Sequence, residues 1–206
     1  IFLGFQTLLI VAAMSKHPEI SDQLAAARDR VIYDALYVTN YIPGTIVHGW
    51  SLALEEQFYL AFPVVLYALF RLLPQRHWLT ALIVLYLIPM VYRYAIHAIV
   101  ISSAPTEDVK DLYLKLIYYP TQGHIDSIFA GAIAAYIFDF RKDWWEWLTG
   151  NAIRRGSIIA GSVLGWVLMS VVIHEYDSGI WNQVLRFNIC YSIWAVLMLL
   201  TAREGT

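Results

Sequence analysis

His48, Ser51, Glu55 and Tyr59 recur at intervals of three, four and four, the spacing that gathers side chains on one face of an α-helix. An imidazole near a carboxylate is suited to taking a proton from a hydroxyl, because the acid fixes the imidazole tautomer and supports its protonated form. Glu55 is the acid in this stripe. Glu56 is turned about 100° away and belongs at an interface. Each of these residues also has a plainer use. Ser51 can cap a helix, Glu55 can complement a helix dipole in its first turn, Trp50 can sit in an interfacial belt and Tyr59 can pack.

Arg93 is the second point where chemistry is concentrated. It lies inside the apolar run from Trp78 to Ile101, where a guanidinium costs a few kcal/mol unless it meets a partner or a watery cavity. It can bind a phosphate, pair with Glu55 or Asp126, or snorkel to the end of its helix. His97, one turn on, is placed near the surface. His124 and Asp126 follow Gly123 at the start of another apolar run, where capping is the plain role of the acid. No glycine-rich phosphate loop, Gly-x-Ser-x-Gly elbow or His-Glu-x-x-His motif occurs.

The stretch Trp50-Ser51-Leu52-Ala53-Leu54-Glu55-Glu56-Gln57-Phe58-Tyr59-Leu60, with His48 ahead of it and Pro63 closing it, resembles the signature of the acyltransferase 3 family of integral-membrane O-acyltransferases. The stretch from Tyr119 to Ala132 is similar to a later family segment in which a basic residue precedes an aspartate, an apolar run and a glycine. His124 takes the basic position, where the family often has arginine, and Asp126 the acidic one. The resemblance implies acyl transfer, with acetyl-CoA as donor, onto a hydroxyl of lipopolysaccharide or another envelope glycan. It implies catalytic roles for Glu55 and His48, and substrate contacts for Trp50, Ser51, His124 and Asp126. Arg93 joins them as a site for a phosphate of the donor or of a glycan carrier. No bound cofactor and no metal are implied. The family carries a further histidine on an early helix, and this chain has no match to it.

Composition sets the solvent. Hydrophobic residues make up 59% of the 206 and charged residues 15%, and mean hydropathy is +0.56, more apolar surface than one soluble core of this size hides. The lipid bilayer is therefore a partner. A net charge of −2 gives nucleic acid no basic face to meet. The single cysteine, Cys190, excludes an internal disulfide.

These residues need helices to hold them. Ile1 to Met14 reads as half of a spanning helix, short of the about 20 residues that a span needs, so we expect an internal fragment with earlier helices before it, inactive by itself. Residues 19–42 carry Ile20, Leu24, Ala27, Val31 and Ala35 at helical spacing, with Asp22, Arg28, Asp29, Arg30 and Asp34 between them: an amphipathic helix with a solvated charged face. Spans follow at about 51–70, 78–101, 124–140, 156–173 and 184–200. The expected fold is all-α, a polytopic bundle of about six spans forming a single domain over 1–206. Trp144, Trp145 and Trp147 suit the headgroup level. Gly161 and Gly165 let a neighbouring helix approach closely.

Arg71, Arg76, Arg141, Lys142, Arg154 and Arg155 mark the cytoplasmic loops of an inner-membrane protein, while the loops at 102–111 and 174–179 are mainly acidic. This alternation puts 15–49, with Trp50, Ser51 and Glu55, on the extracytoplasmic side. The competing expectation is a transporter or flippase whose interruptions at Pro89 and at Pro120 to Gly123 build a broken-helix polar site. A non-catalytic scaffold would explain the Gly161 and Gly165 pair but not the polar stripe.

Overall fold

The computed structural model describes residues 21–46, 48–172 and 179–202, together with Ala12. The described residues form helices and turns and include no strand. Among the described residues four stretches are long and apolar enough to cross a membrane: Gly49–Leu72, Gln75–Ser103, Ala152–Val171 and Trp181–Thr201. About six were expected. Of the expected spans, Ile1 to Met14 lies, apart from Ala12, outside the described residues, as does the acidic turn at 174–178.

The run expected to span at 124–140 is a continuous but short helix, preceded by the interruption expected at Pro120 to Gly123. Helix α4 (Thr106–Tyr113) runs into a π-helical turn at Leu114–Tyr118, a 3-10 turn at Thr121–Gly123 and helix α5 (Asp126–Phe140). Pro120 lacks an N–H and disfavours helix at Tyr119. The 15 residues of α5 reach about 22 Å at 1.5 Å per residue, short of a hydrocarbon core of about 30 Å.

The chain divides into two compact units, Ile1–Tyr67 with Tyr119–Thr121, and Ala68–Tyr118 with Gln122–Thr206. In the first, α1 (Ser21–Ala35) buries Val31 and Asp34. The sequence pattern put Ala35 on the apolar face and Asp34 among solvated charges, and the structure reverses both. Ala35 is exposed, whereas the Asp34 carboxylate accepts hydrogen bonds from the N–H and hydroxyl of Thr45, which offsets the cost of burying it. The helix closes where the Tyr37 N–H bonds the Asp34 carbonyl and the Val38 N–H the Tyr33 carbonyl. Tyr37 takes the left-handed φ of 52° that usually falls to glycine. Helix α2 (Gly49–Leu72) follows after the loop, with Pro63 inside it, and stops just before Pro74.

In the second unit, α5 packs on both α3 (Trp78–Ile99) and α8 (Arg186–Thr201), and α7 (Ala152–Val172) packs on α8. A second π-helical turn, Trp181–Leu185, leads into α8. Ile101, Val109, Tyr113, Ile117 and Phe187 form the buried apolar cluster beside the broken segment. Between α5 and α7 lies α6 (Lys142–Thr149). There Trp145 donates to the Leu199 carbonyl at 3.2 Å, while Trp144 and Trp147 are exposed. Leu60, Ile99, Ile153 and Val171 are each at least three-quarters or nearly three-quarters exposed, apolar surface of the kind that a bilayer covers.

Candidate functional site

The first turn of α2 begins at Gly49, so His48 precedes the helix rather than riding on it. The Ser51 hydroxyl donates to the His48 carbonyl at 3.0 Å, a local turn bond that competes with capping. His48, Glu55, Glu56 and Tyr59 are exposed, and Ser51 is half-buried. Glu55 has no ion pair among the described residues. The stripe thus presents an open surface rather than a closed pocket.

The packed face of α2 is the other one. Trp50, Ala53 and Gln57 recur at three and four: Ala53 is fully buried, and the Trp50 and Tyr119 rings lie 5.4 Å apart. Gln57 stands roughly 200° around the helix from Glu55, at about 100° per residue. Its amide donates to the Tyr37 carbonyl at 2.6 Å and to Asn40 Oδ1 at 3.0 Å. Its carbonyl accepts from the Thr121 hydroxyl at 2.5 Å, and Asn40 Nδ2 donates to Thr121 at 2.8 Å. The left-handed turn at Tyr37 aims its carbonyl at Gln57, and the network ties the 37–40 turn and Thr121 to the base of the stripe.

The second unit assembles Arg93, His124 and Asp126. Arg93 is fully buried and does not snorkel. Its Nη2 donates to Asp126 Oδ2 at 2.7 Å and to Asn188 Oδ1 at 2.5 Å, its Nη1 to the Gly123 carbonyl at 2.5 Å and its Nε to the Val184 carbonyl at 3.2 Å. The guanidinium also lies 4.8 Å from the Phe187 ring centre. Most of its donors are therefore spent inside the protein, and the carboxylate it meets is Asp126. Asp126 Oδ1 and Asn188 Nδ2 are buried in the same cluster without a hydrogen-bond partner among the described residues.

Broken helix supplies the carbonyls. A π-helical turn shifts the bonding pattern and loosens main-chain acceptors. The Trp181–Leu185 turn gives Val184 to Arg93, and the Leu114–Tyr118 turn gives Leu116 to the Tyr92 hydroxyl at 2.6 Å. It also gives Tyr118 to His124 Nε2 at 2.6 Å. Because that carbonyl can only accept, Nε2 carries the proton, and Nδ1 accepts from the Tyr191 hydroxyl at 3.0 Å. His124 stands edge-on between Phe187 and Tyr118. His97, expected near the surface, is half-buried, with Nδ1 3.2 Å from Gln183 Oε1.

The cluster's partners Asn188 and Tyr191, and the network around Gln57, escaped the sequence reading. Asn188 offered a signal, an amide inside an apolar run; Tyr191 offered none. About two turns along α3 from Arg93 lies an apolar cavity of about 300 Å³ among Tyr86, Ala130, Ala134, Ser192 and Leu199. The Tyr86 hydroxyl donates to the Asn188 carbonyl at 2.7 Å. Among the described residues no group of three His, Cys, Asp or Glu side chains is placed to hold a metal.

The chain is similar to the O-acetyltransferase OatA of Staphylococcus aureus (strain NCTC 8325 / PS 47), with 25% identity over 152 residues covering 71% of this chain and 22% of that protein. It is similar to the peptidoglycan O-acetyltransferase OatA of Listeria monocytogenes serovar 1/2a (strain ATCC BAA-679 / EGD-e), with 24% identity over 214 residues covering 94% of this chain and 31% of that protein. The chain thus spans less than a third of the length of these relatives. No family model and no solved structure matches it. The distant likeness to proteins named O-acetyltransferases points to an acyltransferase.

Proposed function

We propose that this chain is part of an integral-membrane O-acyltransferase that moves an acetyl group from acetyl-CoA onto a hydroxyl of a cell-envelope glycan. The observation that carries this reading is the likeness over 94% of the chain to a protein named peptidoglycan O-acetyltransferase. The acceptor class follows that name, and lipopolysaccharide is the alternative acceptor that the signature stretch suggests. The protein sits in the cytoplasmic membrane with residues 15–49 outside.

In this reading His48 and Glu55 take the proton of the acceptor hydroxyl, with Ser51 on the same stripe and Trp50 on the packed face of α2 against Tyr119. Overall the acceptor oxygen forms the new ester bond and the donor's thioester C–S bond breaks, the acetyl group being carried across the membrane to the acceptor and the CoA thiol leaving protonated on the cytoplasmic side. Glu55 was expected to be held out of water beside a pocket, and its exposure departs from that, so the roles of His48 and Glu55 rest here on the signature stretch. The engagement of Arg93 inside the protein favours a different role from the phosphate contact first expected for it: with Asp126 and His124, it holds α3, α5 and the start of α8 together. The same engagement weighs against a transporter, since the polar groups at the broken helix are turned onto one another rather than onto a path.

Full-length protein in membranes, given acetyl-CoA labelled in the acetyl group and purified envelope glycan, tests the reading. Base-labile label on the glycan is the expected result. Inserted, folded protein that leaves both peptidoglycan and lipopolysaccharide unlabelled would overturn it.

A further inference from the structure

Asp34 has one carboxylate oxygen spent and one turned toward the start of α2. It is 6% exposed. Oδ2 accepts from the Thr45 N–H at 2.9 Å and from the Thr45 hydroxyl at 2.5 Å, whereas Oδ1 is buried with no hydrogen-bond partner among the described residues. Two glycines make room for it. A Cβ on Gly44 would collide with Oδ1, and one on Gly49 would lie 3.3 Å from it and 3.1 Å from Thr39 Oγ1. Gly49 is the first residue of α2, whose first turn contains no acid. The positive end of a helix dipole favours a nearby anion, and Asp34 supplies that charge from α1.

We infer that Asp34 is a positioning residue, clamping the 39–49 loop to the end of α1 and so fixing His48 and the first turn of α2. The inference rests on the proposed roles of His48 and Glu55. The clamp acts through main chain and through Thr45 rather than by touching a substrate. Thr45, which the carboxylate bonds, and Gly49, which packs over Oδ1, flank His48 within four residues, so releasing the Thr45 bonds loosens its backbone. A displacement of about 1 Å in a reacting group is enough to cost on the order of a hundredfold in rate.

The test uses full-length protein carrying Asp34→Ala, Asp34→Asn or Thr45→Val, with His48→Ala and Glu55→Gln as references. Asp34→Ala is expected to raise amide exchange over residues 38–50 by about tenfold while leaving 126–140 unchanged, because local opening follows the lost bonds. It is also expected to lower kcat for glycan acylation by about tenfold or more, with KM within about twofold. Asp34→Asn keeps an acceptor for Thr45 and is expected to return kcat to within about threefold of the parent. Should Asp34→Ala fail to insert, Thr45→Val, which removes only the hydroxyl bond, carries the same two readouts at smaller size.

Unchanged exchange over 38–50 overturns the clamp. Raised exchange with unchanged kcat, while Glu55→Gln is inactive, overturns the positioning role. Parental acylation by both His48→Ala and Glu55→Gln instead overturns the site reading and the positioning role with it, leaving a purely structural clamp visible in the exchange data alone.

Discussion

Arg93 and Asp126 meet at 2.7 Å with neither side chain exposed, joining the second half of α3 to the first turn of α5. Two charges withdrawn from water are held together by their mutual attraction and by the amide and carbonyls around them. Removing one partner leaves the other stranded.

Either Arg93→Leu or Asp126→Leu alone is therefore expected to destabilise the folded protein by about 3–5 kcal/mol, the usual cost of an uncompensated buried charge. The paired replacement should recover a substantial part of that loss. Thermal unfolding of the full-length protein in detergent measures it; a double variant no better than the worse single one would show that the carbonyl and amide contacts of Arg93, rather than its charge pairing, dominate.

Glu55→Gln keeps the shape of an exposed side chain with no ion pair among the described residues, so it should leave insertion and stability within about 0.5 kcal/mol of the parent. Glycan acylation should fall by about a hundredfold or more, as expected for loss of a general base. Ester release from the purified glycan reads the effect, and full activity would remove Glu55 from the reaction.

Gly123 is expected to resist substitution. A Cβ there would collide with the Ile117 carbonyl in the π-helical turn, and the Gly123 carbonyl itself receives Arg93. Gly123→Ala should cost about 1–3 kcal/mol through forced backbone movement, while Gly131→Ala, with nothing within 4 Å of the new methyl, should be neutral or slightly stabilising within a helix. Comparing their unfolding midpoints checks both.

Membrane orientation is open to cysteine labelling in a Cys190→Ser background. Asp108→Cys should react with an impermeant reagent from outside, and Arg76→Cys only after the membrane is opened, as the placement of basic loops requires. The opposite pattern would invert the topology and put His48 and Glu55 on the acetyl-CoA side.

Much of the helical framework was legible in the sequence, because long apolar runs bounded by Pro74 and by polar loops leave few alternatives. Arg93 was legible as a residue needing a partner, and Asp126 stood among its candidates. The packed face of α2 was not. Periodicity groups His48, Ser51, Glu55 and Tyr59 as readily as Trp50, Ala53 and Gln57, and the choice between them is made by Asn40 and Thr121, whose contacts with Gln57 span 17 and 64 positions. Asp34 misled for a related reason: a charge on an amphipathic helix reads as solvated until a distant Thr45 claims it. The two π-helical turns leave no mark in composition at all.

Half of the groups that receive Arg93 belong to the main chain, at Val184 and Gly123. A carbonyl is the same whatever side chain stands beside it, so position 184 has latitude to drift among residues that keep the turn, while position 123 is pinned by its crowding against Ile117. Divergent relatives can therefore seat the same guanidinium with few recognisable letters in common, and a conserved socket can lie beneath sequences that scarcely align.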